Sequence, residues 1–272
     1  MSLSQITKAV EFSPVYDASD HCVYCQDCLH ILKALPAECV DAVFADPPYF
    51  GNQSNLTIRR TDGHSDSFKT DKAQWAFSRS LRFQFDFHKE WLTEAKRILK
   101  KEGTIWISGS YHSIGVINVV LQQLRFKILN DIVLFKNNAP PNFKGTCFRA
   151  MTETMLWAKR GMEGRKKFNY WEMKELNGGK QMSNLWEYTA QKNPFRHPAT
   201  KQPIILELVI RASTNRGDLI LDPFAGSGTT GYVASALGRK SILIELEKKY
   251  CEIITKRMEG GFGRYQPKYG TK

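Results

Sequence analysis

Apolar and polar positions alternate along most of the chain in two rhythms, short apolar runs of strand length and longer runs with apolar residues three and four apart. Val40-Asp41-Ala42-Val43-Phe44-Ala45 is a mostly apolar run that predicts a buried strand. His21–Gln26, Thr104–Ser108, Phe126–Phe135, Thr152–Ala158, Asp218–Asp222 and Lys240–Glu245 predict further strands. Asp27–Leu35, Phe85–Leu99, Ser113–Leu124, Gln202–Thr214, Gly228–Leu237 and Glu247–Met258 have the helical period. Lys100-Lys101-Glu102-Gly103 is expected to stop the second of these helices, and Gly260-Gly261 the last. Strands alternating with helices predict an α/β fold with a doubly wound, mostly parallel sheet.

Four stretches fall outside the rhythm. Residues 1–20 show no clear period and are expected to form an arm. Residues 51–80 are polar and aperiodic. A loop of that length in a compact domain is functional or disordered, and its place directly after the Val40–Ala45 strand suits a mobile cover over a site. Residues 136–201 break the pattern with 13 Lys and Arg, 5 Glu and no Asp, interleaved with nine aromatics that include Phe143, Phe148, Trp171, Trp186 and Phe195. Cations attract phosphates and aromatic faces stack on bases, so this stretch is expected to touch nucleic acid, with 160–196 as a small basic target-recognition insertion. The polar tail beyond Gly261 is expected to fray.

Composition supports that direction. The net charge of +12 and the pI near 9.4 favour a polyanionic partner. No apolar run reaches membrane-spanning length and no signal peptide is evident, so a soluble, cytoplasmic protein is expected, with no membrane partner. Cys22, Cys25 and Cys28 recur at intervals of three. Zinc takes four ligands, and Cys39 is too far along the chain for the usual pair spacing, so these are expected to be reduced core cysteines and no metal is expected.

Two stretches carry candidate chemistry. Asp46-Pro47-Pro48-Tyr49 follows the Val40–Ala45 strand. A residue before proline stays extended, and two prolines stiffen the exit while offering carbonyls and no N–H. The corner is therefore rich in acceptors, suited to an amino group with two hydrogens to give, and Tyr49 offers a ring for a flat base. Gly226-Ser227-Gly228-Thr229-Thr230-Gly231 has the G-x-G-x-x-G pattern between a predicted strand and a predicted helix. Glu245 ends the following strand, where an acid can hold ribose hydroxyls. A nucleoside-bearing cofactor is expected. A dinucleotide oxidoreductase is one alternative, although too little chain follows Gly231 to complete its dinucleotide-binding half. A nucleic-acid-binding module without catalysis is another.

Asp46-Pro47-Pro48-Tyr49 together with Asp222-Pro223-Phe224-Ala225-Gly226-Ser227-Gly228-Thr229-Thr230-Gly231 resembles the amino-group DNA methyltransferases of restriction–modification systems. The order of corner, basic segment and cofactor loop is similar to the permuted β group of that family, over about His21 to Met258 of a single domain spanning 1–272. The resemblance implies a Rossmann-like fold, S-adenosylmethionine as cofactor and DNA as partner. Double-stranded DNA with a flipped target base is expected; single-stranded DNA and a homodimer stay open. It further implies that Asp46, Pro47, Pro48 and Tyr49 are catalytic. Asp27, Asp46, Lys201, Asp222, Phe224, Ala225, Gly226, Ser227, Gly228, Thr229 and Glu245 are implied to hold the cofactor. His197, Pro198 and Lys201 match part of a family element that precedes the cofactor helix, and Lys136–Pro141 loosely matches a loop near the target base. Family members whose corner begins with Asp act mostly on the N6 amino group of adenine, those with Ser mostly on N4 of cytosine. Adenine is therefore expected, with N4-cytosine as the alternative.

Overall fold

The computed structural model describes residues 1–48, 80–143, 145–191, 200–261 and 263–269, and the backbone of two short strands at 56–59 and 65–68. The strands are β1 (Tyr16–Asp17), β2 (His21–Cys25), β3 (Val40–Ala45), β4 (Leu56–Arg59), β5 (Ser65–Phe68), β6 (Leu99–Gly109), β7 (Lys127–Lys136), β8 (Thr152–Lys159), β9 (Leu185–Tyr188), β10 (Leu219–Asp222) and β11 (Lys240–Glu245). The helices are α1 (Leu3–Lys8), α2 (Cys28–Ala34), α3 (Leu81–Ile98), α4 (Ile114–Gln123), α5 (Tyr170–Leu176), α6 (Pro203–Ser213), α7 (Thr229–Ala236) and α8 (Lys248–Met258).

Nine strands form one sheet in the order β1-β2-β11-β10-β3-β6-β8-β7-β9, while β4 and β5 pair separately. From β2 to β6 every pair is parallel; β8 runs against both β6 and β7. The last two strands of the chain thus enter between β2 and β3, and Leu221 pairs with Val43. From this seam the chain winds outward both ways, through α3 to β6 and through α7 to β11. Such a reversal is a topological switch point, and it opens a crevice beyond the strands' carboxyl ends.

Strand periodicity sorts the side chains into two cores. Val43, Ala45, Ile105 and Ile107 pack with Ile31, Trp91, Leu92 and Val120 of α2, α3 and α4. Ala42, Phe44 and Trp106 point the other way, toward Leu206, Val209 and Val233 of α6 and α7. Trp106 stacks on Trp157 at 4.8 Å and lies 5.9 Å from Trp186. Trp186 is therefore core, not a nucleic-acid platform. Cys22 and Cys39 are buried in the first core, and no group of metal-ligating residues forms among the described residues.

Several sequence expectations need correction. The amino-terminal stretch is no arm: Ser2 and Gln5 form a reciprocal capping box on α1, and Leu3, Ile6 and Val10 are buried. Helix α3 begins at Leu81 because the Ser80 hydroxyl accepts from Phe83 N–H. Lys100 to Gly103 do not form a stop loop but belong to β6, which follows α3 without a break.

The tail is pinned, too. Buried Glu207 of α6 accepts from the Tyr265 hydroxyl at 2.8 Å, from Lys268 N–H at 2.9 Å and from Arg211 Nε at 3.0 Å, while Arg211 Nη2 donates to the Tyr269 carbonyl.

Residues 160–168 lie at the amino ends of the strands, opposite the crevice. There Lys167 Nζ bridges Asp218 at 2.6 Å and Asp41 at 3.3 Å, and Asp41 also accepts from Lys100 Nζ and from Leu219 N–H. Asp41 thereby ties the starts of β3, β6 and β10. Burial works against its charge, but Lys100, the Leu219 amide and Lys167 hold its carboxyl below the usual range.

Two outcomes are expected. Glu207→Ala should destabilise the protein by about 2 kcal/mol, since it breaks a buried ion pair and leaves Arg211 with Glu172 alone, and should expose the tail to trypsin at Lys268; urea unfolding and limited digestion measure both. Lys167→Ala should lower stability by about 2 kcal/mol, short of a fully buried pair, and leave the salt dependence of DNA binding unchanged in a titration across ionic strength.

Candidate active site

The crevice is a cleft of about 350 Å³ at the carboxyl ends of β2, β3, β10 and β11. Each strand delivers one part of its wall. β2 ends in Gln26 and Asp27, β3 in Asp46-Pro47-Pro48, β10 in Asp222 with the glycine turn, and β11 in Glu245. Phe83 and Phe87, one turn apart on α3, and Phe224 close the apolar side. Trp91 meets the Phe224 ring edge-on at 5.4 Å and fixes it.

The acids of the cleft do different work. Asp222 is buried; its carboxylate accepts from Phe224 N–H at 3.0 Å and from the Thr230 hydroxyl, so it clamps the turn at both ends. Burial, reinforced by nearby Asp46 and Glu245, pushes its carboxyl up to about 7. Glu245 accepts from Gly226 N–H and from Glu247 N–H, each at 2.8 Å, and burial raises its carboxyl as well. Asp27 caps α2 through Leu29 N–H at 2.8 Å. Asp46 lies at the mouth, with Lys201 Nζ 3.3 Å from Oδ1. The same ammonium donates to Glu153 of β8 at 2.6 Å. Burial opposes the charge on Glu153, and the Lys201 ion pair overrides it, so that carboxyl sits below its ordinary value. Lys201 is thus shared between two carboxylates, and the Thr200 hydroxyl beside it lies 3.1 Å from the Ser227 hydroxyl.

Of the residues expected at the site, Asp27, Asp46, Pro47, Pro48, Lys201, Asp222, Phe224, Ala225, Gly226, Ser227, Thr229 and Glu245 line the cleft together. Gly228 does not. Its φ of 77° opens α7 in the left-handed region, and a Cβ there would lie 3.0 Å from Ile254 of α8, so this glycine serves helix packing. Gly226, with φ of 54°, makes the turn whose N–H reaches Glu245. Tyr49, residues 192–199 with His197 and Pro198, and most of the 51–80 loop lie outside the described residues. Thr200, Glu153, Phe83 and Phe87 were not expected at the site. Only the four-residue spacing of the two phenylalanines hinted at a shared face; Glu153 meets Lys201 across a fold that the sequence does not spell out.

A sulfonium-bearing nucleoside fits this cleft. Four acids against one lysine among the described lining residues suit a cation, and the Gly226 turn lets backbone approach closely. Fold and cleft together define a Rossmann-like enzyme that takes a nucleoside cofactor at its switch point. The family model described as DNA methylase, of the N6/N4 methyltransferase type, matches residues 40–256. The chain is 42% identical over 251 residues to the Type II methyltransferase M2.DpnII of Streptococcus pneumoniae, covering 90% of this chain and 92% of that one. A solved M1.HpyAVI complex with S-adenosylmethionine superposes with a TM-score of 0.60 at 26% identity, over 87% of this chain and 98% of that one. The PvuII DNA methyltransferase, described as cytosine-N4-specific, shares the fold at a TM-score of 0.72 and 20% identity, over 91% of this chain and 89% of that one. The chain belongs to the N6/N4 DNA methylase family. Its cofactor is S-adenosylmethionine and its substrate is DNA. No described helix is long and apolar enough to cross a membrane.

The raised Asp222 carboxyl has a measurable sign. Its folded value of about 7 lies above the ordinary 3.8, so the native state keeps a proton that the unfolded chain releases. Stability from this group is therefore full at low pH and falls as pH rises from about 4 to 7. Asp222→Asn removes the titration, and its stability relative to wild type should grow by on the order of 3 kcal/mol across that window. Urea midpoints of the two proteins from pH 4.5 to 7.5 measure the difference.

Proposed function

We propose that this single permuted domain transfers the methyl group of S-adenosylmethionine to the N6 amino group of adenine in DNA, in the cytoplasm and as the modifying partner of a restriction–modification pair. The observation that carries the reading is Asp46, held by Lys201 at the mouth of an acid-lined cleft, one strand away from the glycine turn. The choice of adenine rests on the corner's beginning with Asp, as set out from the sequence.

S-adenosylmethionine supplies an electrophilic methyl group on a sulfonium. Glu245 and Asp27 suit its nucleoside end, and Phe224, Ala225, Gly226, Ser227, Thr229 and Asp222 frame the remainder of the cleft. An exocyclic amino nitrogen is a poor nucleophile because its lone pair is conjugated into the ring. Asp46 and the Pro47 carbonyl each accept one amino hydrogen and turn the lone pair out of conjugation. The carboxylate also stabilises the positive charge that develops on nitrogen. Lys201 holds Asp46 in place from 3.3 Å, and Glu153 shares the lysine's charge so that Asp46 retains its pull. A stacked base cannot reach Asp46, so the target is flipped out of the duplex, with Pro48 and Tyr49 forming its platform. Within the basic stretch, 160–168 run along the far end of the sheet, so target contact falls to 137–151 and to the residues that follow β9.

Asp46→Ala should lower transfer at least a thousandfold, a magnitude in line with losing electrostatic stabilisation, and leave cofactor affinity within about threefold, because Asp46 acts on the base. Isothermal titration reads the second. Mass spectrometry of nucleosides from DNA treated with wild type should show N6-methyladenine. N4-methylcytosine alone would overturn the choice of base and keep the class.

A further inference from the structure

The loop between β7 and β8 stands apart from the rest of the surface. Residues 136–151 contain Lys136, Lys144 and Arg149 and no acid. Two phenylalanines ride on it, Phe148 with its side chain wholly in solvent and Phe143 61% exposed. These rings are not on a slack segment. Asn142 Nδ2 donates to the Cys147 carbonyl at 2.9 Å, Gly145 N–H donates to the Asn142 carbonyl at 3.0 Å, and Arg149 donates to the Ala139 carbonyl. Pro140 and Pro141 stiffen the approach. A braced loop holds two large apolar groups in water instead of folding them down.

Its position gives the rings a use. β7 runs parallel with β6 and therefore with β3, so this loop rises from the same end of the sheet as Asp46. Glu153, five residues after Phe148, reaches Asp46 through Lys201. Five residues span at most about 17 Å, which keeps Phe148 in reach of the duplex around a base seated at Asp46. Lys136 and Arg149 give this loop positive charge that suits nearby phosphates. Proteins that unstack DNA insert apolar rings of this kind into the helix.

We propose that Phe148, supported by Phe143, is the wedge that enters the base stack of duplex DNA and occupies the space the target base leaves. The proposal rests on the functional reading above. Removing the wedge should cost activity only where the protein must itself open a paired base. It should not matter for a base that is already unpaired.

The test compares methyl transfer by wild type, Phe148→Ala and Phe148→Leu. The substrates are one duplex with a paired target and the same duplex with the target mismatched. The expected result is a fall of tenfold or more in the paired-to-mismatched ratio of kcat/KM for Phe148→Ala, with recovery in Phe148→Leu, which restores bulk. With 2-aminopurine at the target position, the fluorescence rise on binding should shrink in Phe148→Ala. An unchanged ratio, or an equal fall on both duplexes, overturns the wedge. So does a change in sedimentation with the ratio intact, which would assign the patch to contact between copies of the chain. Absence of transfer to either duplex by wild type would instead sink the functional reading itself.

Discussion

The pairing of β10 with β3 is the constraint on which the site depends. Strands 178 residues apart in sequence, as the Leu221–Val43 register shows, lie side by side and end at the same level. One brings the acceptor-rich corner and the other the glycine turn. Neither motif has a function without the other, because the corner handles an amino group and the turn frames the donor's cleft. At the opposite end of this seam Asp41 accepts from Lys100, Lys167 and the Leu219 amide. The alignment of the catalytic end is thus fixed at the non-catalytic end, by a buried carboxylate that touches no ligand.

The cleft's charge follows from the same arrangement. Strand ends at a switch point converge, so Asp46, Asp222 and Glu245 are forced near one another, and mutual repulsion adds to burial in raising Asp222. The structure answers with backbone amides on Glu245, a hydroxyl on Asp222 and an ammonium on Asp46. Backbone amides serve Glu245 and, with the Thr230 hydroxyl, Asp222, whereas Asp46 has an ammonium. That leaves Asp46, paired with the long side chain of Lys201, best suited to exchange its partner for a substrate.

The sheet was legible in sequence because β3, β10 and β11 are short apolar runs with clear ends, and the helices between them keep their period. Asp46-Pro47-Pro48 and the glycine turn were legible because their chemistry is local: proline fixes its neighbours, and positive φ demands glycine at 226. What depends on distant partners was not legible. The six residues of α1 are too few to show a period, though Ser2 and Gln5 cap it. The tail reads as polar, but Tyr265 is polar in order to reach Glu207. Lys167 looks like any cation of a basic stretch until Asp41 and Asp218 are seen around it. Gly228 belongs to the glycine motif in sequence and to the Ile254 contact in space.

The late insertion of β10 and β11 also bears on how the protein is made. Until residues beyond 218 leave the ribosome, β2 and β3 each have an open edge where a central strand will sit. Such edges invite wrong partners, and pairings this distant in sequence form slowly. In return, the acidic cleft cannot assemble on a nascent chain. The enzyme comes into existence only when its last strands arrive, so an interrupted translation product has the corner and the basic surface but no place for a methyl donor.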